Sequence, residues 1–406
     1  MHICFCSPDW PPAGAANGIV SYVSVLRDYF MSQGHDVSVI SHERIYRSNG
    51  VEIALFERND RRGAFMSLRD RISQRLDRYR GDLPGVGRLI AEQVNEAQSI
   101  APIDILEMEE SFGWSETVRR ATGVPVITRL HGPFFLNPAV PRTSRQMRFD
   151  SQRCRAEGRA VRSARSLTAP TRAIMDAACA EYDRERGALS AVIPNPISLS
   201  AENQRWSLQG CDPDHILMVG RFDYRKGADT MLLAFERLLE RRPSSRLTIV
   251  GPDTGMEIAP GQSIDFETFA QSRLLPRTRE RVTFLGKLGP DQIAKLRRSA
   301  YVTVIASRYE IFPYALFEGF AMGCPMICTD WPGSDEIIVH GHTGLVTPVG
   351  DPEAMANNLE WIFRHRDEAV QMAQNGLQNC RNSFCVETVG GQMLDFYKAT
   401  LEASGR

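Results

Sequence analysis

A chain of 406 residues with 43% hydrophobic and 24% charged side chains is long enough for two or three domains with proper cores. Its formal net charge of −1 argues against a general nucleic-acid binder. No apolar run reaches the roughly 18 to 20 residues that span a bilayer, and the nine cysteines show neither a C-x-x-C pair nor a histidine at zinc-ligand spacing.

The opening "MHICFCSPDWPP" lacks a basic leader and breaks on prolines, so it reads as a buried first strand rather than a signal peptide. The expectation is a soluble, cytoplasmic protein whose thiols are reduced and mostly buried. After "HICFCS", residues 18–33 carry helical periodicity, Gly34 stands where a helix-terminating glycine belongs, and "DVSVIS" alternates as a strand. "DILEME", "PVITRL", "SLTAP" and "AVIPNP" follow, separated by polar stretches of helix length. Such alternation predicts a parallel sheet covered by helices.

Residues 193–214 have little pattern and many turn residues, and beyond them the alternation restarts with "HILMVG", "LTIVG", "VTFLG", "VTVIA" and "PMICTD". Two tandem α/β domains are therefore expected, residues 1–200 and 201–385, with a cleft between the carboxyl ends of their strands where ligands bind. No G-x-G-x-x-G follows the first strand, so a dinucleotide-binding enzyme is not suggested. Up to residue 206 every basic side chain is arginine, with clusters at 58–80 and 141–165. These are either solvated helix faces or a basic surface for an anionic acceptor or a membrane leaflet.

The stretch "SRYEIFPYALFEGFAMGCP" (307–325) sets Glu310 and Glu318 in an otherwise apolar and aromatic run. Pro313 suits the first position of a helix and Gly323 its end, so a helix over about 313–322 is expected. The amides near Phe312, Tyr314 and Ala315 then make a phosphate site. Glu318, roughly 7.5 Å deeper at about 1.5 Å per residue, shares a face with Tyr314 and Ala315. A carboxylate there accepts from a ribose diol, or else pairs with an arginine; Glu310 meets a sugar's hydroxyls, or caps the turn. In "VGRFDYRKGADTMLLAF", Arg221 and Lys226 stand at a strand end and before the next helix. They suit a diphosphate, or are loop charges facing solvent.

In this order the motifs resemble the retaining nucleotide-sugar glycosyltransferases of family 4. Gly220-Arg221, Lys226-Gly227, the Glu310-to-Glu318 spacing, and "GSDE" with Glu336 ahead of "HGHTGLV" match the second-domain signature. More weakly, "PDWPPAGAANGIVSYV", "GHDVSVI", "RLHGP" and "VIPNPI" are similar to the first domain. The resemblance implies the α/β GT-B fold, two Rossmann-like doubly wound domains facing across a cleft, with a C-terminal helix at about 386–406 crossing back to the first.

The same resemblance implies the roles. Arg221 and Lys226 would hold the donor diphosphate, joined by the backbone of Ile311, Phe312 and Tyr314. Glu310 would bond the transferred sugar and Glu318 the ribose; Phe284, Leu285 and Gly286 would lie near the base. Gly18 would let backbone approach the donor phosphate, and His131 would sit on the acceptor side. The catalytic set is thus Glu310, His131, Arg221 and Lys226, with no metal and no cofactor beyond the nucleotide sugar, UDP favoured and GDP next. The expected acceptor is a saccharide or lipid-linked saccharide in cell-envelope polysaccharide or glycoconjugate synthesis, with a membrane surface as a further partner and no nucleic acid. "Asp212-Pro213-Asp214" resembles a metal-binding D-x-D but precedes its strand. The chain departs from the family at Asn17, Pro196 and "IFPYALF", which puts the donor sugar in doubt more than the activity. The alternatives are a sugar-nucleotide epimerase on the same scaffold and a non-catalytic nucleotide-sugar-binding module.

Overall fold

The computed structural model describes residues 1–12, 17–42, 44–54, 85–137, 143–185, 189–259 and 261–405. The arginine cluster at 58–80 lies outside them. The chain forms two compact units. One holds Met1–Asn137, Ser144–Pro196 and Val386–Arg406, and the other holds Ile197–Cys385.

In the first unit, β1 (His2–Cys6), β2 (Asp36–Ser41), β5 (Ile105–Glu109), β6 (Val126–Arg129), β7 (Ser166–Ala169) and β8 (Ser190–Val192) pair in parallel. β3 (Arg44–Tyr46) and β4 (Glu52–Ala54) extend the β2 edge antiparallel, giving the order β4-β3-β2-β1-β5-β6-β7-β8. This antiparallel edge was not expected from a pattern of parallel crossovers. Its signal was the Asn49-Gly50 pair, since Gly50 takes φ +80° and Arg47 N bonds Val51 O at 2.9 Å to close a tight turn.

The helix Gly18–Ser32 is capped by Asn17, whose Oδ1 accepts from Ile19 N at 2.9 Å. It buries Val20, Tyr22, Val23, Leu26 and Phe30 against the sheet. The helix Val386–Ala403 packs on the same unit. Tyr397 donates to Glu107 Oε2 at 2.8 Å and Tyr22 to Oε1 at 2.7 Å, in full burial. Arg129, fully buried, lies over the Tyr22 ring at 4.5 Å and donates to Asn195 Oδ1 at 2.6 Å and to Ile193 O at 2.9 Å.

In the second unit, β9 (Asp212–Val219), β10 (Arg246–Val250), β13 (Val282–Phe284), β14 (Ala300–Ile305), β15 (Met326–Thr329) and β16 (Leu345–Thr347) form a wholly parallel sheet ordered β13-β10-β9-β14-β15-β16. The order reverses between β9 and β14, and in doubly wound sheets the crevice at that switch point takes the ligand. A separate hairpin joins β11 (Met256–Ala259) to β12 (Gln262–Ile264). The core centres on Phe222, Met231, Phe235, Val302 and Leu359, all at most 0% exposed.

Asp212-Pro213-Asp214 opens β9 rather than preceding it, and its carboxylates pair with Arg246 and Arg242, each at 2.5 Å. In the turn-rich stretch before β9, Trp206 donates from Nε1 to Ala300 O at 2.8 Å. All nine cysteines are free thiols and none is exposed. Among the described residues no helix is long and apolar enough to cross a membrane.

Replacing Tyr397 by Phe leaves Glu107 buried with one donor fewer. Urea unfolding should show a loss of about 1 to 3 kcal/mol, confined to the transition of the first unit. An unchanged midpoint would refute the role given to this bond.

Candidate active site

At the switch point of the second unit, the loop after β9 meets the loop after β14. Gly227 makes the meeting possible: its φ is +66°, and a Cβ there would stand 1.9 Å from the carbonyl oxygen of Ala306. No other residue type fits so close an approach of two backbones. Across the contact, Arg308 N donates to Arg225 O at 2.8 Å, and the Arg308 guanidinium grips Asp229 through two bonds of 2.7 Å. It also donates to Tyr224 O at 2.6 Å and lies over the Tyr224 ring at 3.9 Å. Neither Arg308 nor Asp229 was singled out from the sequence, where each reads as an ordinary helix or loop charge.

This junction brings Lys226 and Glu310 together. Lys226 Nζ lies 2.5 Å from Glu310 Oε1, and Ser307 Oγ donates to the same oxygen at 2.6 Å. Among the described residues nothing bonds Oε2. Burial alone would raise the Glu310 carboxyl, but the Lys226 ammonium, by charge and hydrogen bond, with Ser307 behind it, holds it below its ordinary value. Asp223 orients the loop: its Oδ1 accepts from Lys226 N at 2.7 Å and its Oδ2 sits 2.9 Å from Arg221 Nε. Arg221 keeps an exposed side chain at the end of β9.

The helix after this loop is Tyr314–Met322, so Pro313 is its N-cap rather than its first turn, and Leu316 N bonds Pro313 O at 2.9 Å. A cap in extended backbone with φ −77° suits proline, whose ring blocks the helical conformation of the residue before it. Phe312 is nearly buried, its ring stacked on Phe317 at 3.9 Å, and Ile311 is buried beside it, so both offer a ligand only backbone. Tyr314 stands half-buried, edge-on to Phe312.

Glu318 does pair with an arginine. Arg297 Nη1 is 2.6 Å from its Oε2, while Arg297 itself is 3% exposed and also donates to Ala315 O at 3.1 Å. Glu318 remains 44% exposed, so the arginine fixes the carboxylate without hiding it. An arginine partner was one of the two expectations for Glu318, but Arg297 itself was not legible as that partner, since "KLRRS" has the look of a solvated helix face.

Past β13, Leu285 N bonds Ile249 O and Gly251 N bonds Gly286 O, at 3.0 and 2.9 Å. Phe284 stacks on Phe266 at 4.6 Å, both partly buried against the core cluster, while Leu285 is exposed and Gly286, at φ +66°, has open space beside it.

The other two predicted residues belong to the first unit. Gly18 is the exposed first residue of the helix Gly18–Ser32. His131 follows β6, its ring edge-on to Tyr22 at 4.9 Å. Burial, then the charge of Arg129, pushes this imidazole well below the usual histidine range, so it is neutral at physiological pH. The loop is held by Glu110, a residue the sequence reading passed over, which accepts from His131 N and Gly132 N at 2.8 Å each. Burial and the nearby Glu157 and Glu109 raise the Glu110 carboxyl to about 8.

Two family models match the chain: one described as Glycosyltransferase Family 4 over residues 16–201, the other as Glycosyl transferases group 1 over residues 201–379. The chain belongs to the family 4 type of GT-B glycosyltransferases. Among its relatives, D-rhamnosyltransferase WbpZ of Pseudomonas aeruginosa is 29% identical over 47% of this chain and 46% of its own. The match therefore spans about half the length of such relatives. Sucrose-phosphate synthase from Thermosynechococcus elongatus shares the fold with a TM-score of 0.74 at 20% identity, covering 99% of both chains. Anabaena HepE, solved in complex with UDP and glucose, does so with a TM-score of 0.66 at 17% identity, over 98% of this chain and 100% of its own.

The Glu110 carboxyl gives a pH test. Between its ordinary value near 4.5 and its raised value of about 8, the folded chain keeps a proton that the unfolded chain has lost. Stability therefore falls as pH rises through that window. In thermal melts, wild type should lose ground to Glu110→Gln from about pH 5 to about pH 8; parallel curves would remove Glu110 from this role.

Proposed function

We propose that this chain transfers a hexose, with retention of anomeric configuration and without a metal, from a nucleoside diphosphate sugar to a saccharide or lipid-linked saccharide acceptor in cell-envelope polysaccharide or glycoconjugate synthesis. UDP is the favoured nucleotide, with GDP second. The observation that carries the reading is the Lys226–Glu310 pair at the switch point of the second unit. A cation held by one oxygen of a carboxylate, beside an exposed Arg221 and the start of a helix, suits a phosphate bound next to a hydroxyl-rich ring.

On this reading Lys226 and Arg221 stabilise the negative charge that grows on the departing diphosphate, and the positive end of the helix Tyr314–Met322 adds to them. Glu310 Oε2 accepts from a hydroxyl of the transferred sugar. Its Oε1 cannot, being already engaged by Lys226 and Ser307. Glu318, steadied by Arg297, accepts from the ribose diol, and Leu285 and Gly286 flank the base. His131, neutral, offers a hydrogen bond on the acceptor side without adding charge. No second carboxylate is assigned as a nucleophile, in contrast to retaining glycosidases; rate comes from positioning and electrostatic support. The binding of UDP by HepE supports the nucleotide. The arginines of the helix Ser144–Ser163 support an anionic acceptor or a membrane surface.

The test is a thermal-shift panel of UDP, GDP and ADP, each with and without Mg²⁺. At about 100 times its dissociation constant a ligand adds roughly 2.7 kcal/mol. A shift with UDP that ignores Mg²⁺ and shrinks in Glu318→Ala is expected. Glu310→Ala should keep the UDP shift and lose turnover by on the order of 100-fold, one missing transition-state hydrogen bond being worth that much. Full turnover in Glu310→Ala would defeat the assignment. Release of free UDP separates transfer from epimerisation, which leaves the nucleotide attached.

A further inference from the structure

The first unit has a switch point of its own, between β1 and β5, and a cavity of about 750 Å³ opens there. Ligand pockets commonly run from about 300 to 1,000 Å³. Its base is made by the strand ends, with Ser7 and Pro8 after β1, Ser41 closing β2 and Glu109 closing β5. One wall is the first turns of the helix Val86–Ile100, through Val86, Leu89 and Ile90. Opposite stand Phe112 and Trp114, whose rings stack at 4.8 Å and 25°. The Arg153 guanidinium lies 4.1 Å over the Phe112 ring, and Arg153 is itself fixed by a 2.7 Å bond to the buried Glu157.

Three features mark this cavity as built for an occupant. Among the described residues three non-glycine positions have positive φ, and two of them, His42 at 53° and Phe112 at 57°, border it. Backbone in that region is strained for a side chain with a Cβ and persists where the surroundings enforce it, often at ligand sites. Two lining residues keep a buried polar atom without a partner, Ser41 Oγ and Trp114 Nε1, and Ser41 is 2% exposed. Burial also raises the Glu109 carboxyl above its ordinary value. The cavity's other polar side chains are already engaged, Ser7 with Asp9 O, His42 with the Asp9 carboxylate, Arg44 with Glu52 and Gln93 with His42 O. The polar groups left beside the apolar walls do not match the many hydroxyls of a bare saccharide, each of which would need a partner on losing water.

We propose that this cavity receives the acceptor's non-sugar part, a hydrocarbon-bearing aglycone that packs on Val86, Leu89, Ile90 and Trp114 while a hydroxyl reaches Ser41 and Glu109. The inference rests on the glycosyltransferase reading and narrows its acceptor to amphiphiles.

The probes are butyl, hexyl and octyl β-D-glucopyranosides below their micelle concentrations, with glucose and maltose as chain-free controls. Each is titrated by calorimetry into the full chain and offered as acceptor with UDP-glucose. Each methylene that leaves water should tighten binding by up to about fourfold, so affinity should climb steeply from butyl to octyl. Val86→Glu, at a partly exposed position on the wall, should flatten that climb, as should Leu89→Ser. Both variants should keep the wild-type UDP shift, which reports that they fold and that the donor site is intact. Affinity independent of chain length, or maltose binding as tightly as the octyl compound, overturns the aglycone pocket while the transferase reading stands. Steep chain-length dependence without any nucleotide shift overturns the acceptor assignment together with the transferase reading.

Discussion

A single buried carboxylate organises the first unit. Glu107, in the middle of β5, takes hydrogen bonds from Tyr22 near the start of the chain and from Tyr397 near its end. Arg129, on the neighbouring strand, supplies the opposing charge and reaches on to the chain leaving the unit at Ile193 and Asn195. Burial pushes the Glu107 carboxyl up, and these partners work against the push. Removing any one of them leaves a charge or a lone pair in an interior that cannot hydrate it, which costs far more than a surface contact would. The His131 loop leans on the same network, since its ring packs edge-on against Tyr22.

The second unit solves a different problem, which is to keep strong charges ready at one place without letting them scatter. Each one is already matched: Arg308 with Asp229, Arg221 with Asp223, Lys226 with Glu310, Arg297 with Glu318. In two of these pairs the match is partial, because Lys226 and Ser307 share one oxygen of Glu310 and Arg297 takes one oxygen of Glu318. Such half-used carboxylates keep their orientation and still accept from hydroxyls. On the proposed reading, charge held ready in this way would lower the barrier, because it need not reorient as the reaction proceeds.

Much of this was legible in the sequence, for identifiable reasons. The parallel strands read as continuous Val, Ile and Leu runs because both faces are covered, and Gly227 was legible through the Lys226-Gly227 motif, at a place where only glycine fits. The pairing of Lys226 with Glu310 was not, since 84 residues separate them and no local period links them. Arg297 and Arg308 were invisible for the same reason. Each sits in a run that looks like a solvated helix or loop, and only the tertiary fold turns it inward. Glu110 and Glu157 were hidden by "EMEESF" and "RAEGRA", where their neighbours give every sign of a surface. The β3–β4 edge was missed because its strands are three residues long, too short for alternation to register.

The helix Val386–Ala403 has a consequence for how the chain comes off the ribosome. Everything else in the first unit is made before Ile197, yet Tyr397 and the packing of Gly390 against the Tyr29 ring arrive only after the whole second unit has been synthesised. At about 5–20 residues per second that is a wait of roughly ten to forty seconds. During it β5 holds Glu107 without its last donor, and the helix Gly18–Ser32 presents Tyr29 and Phe30 with nothing over them from the C-terminal side. The second unit, contiguous in sequence, can close first. The half of the molecule that is translated earliest is thus the last to finish folding, and a nascent-chain chaperone would find its apolar surface there.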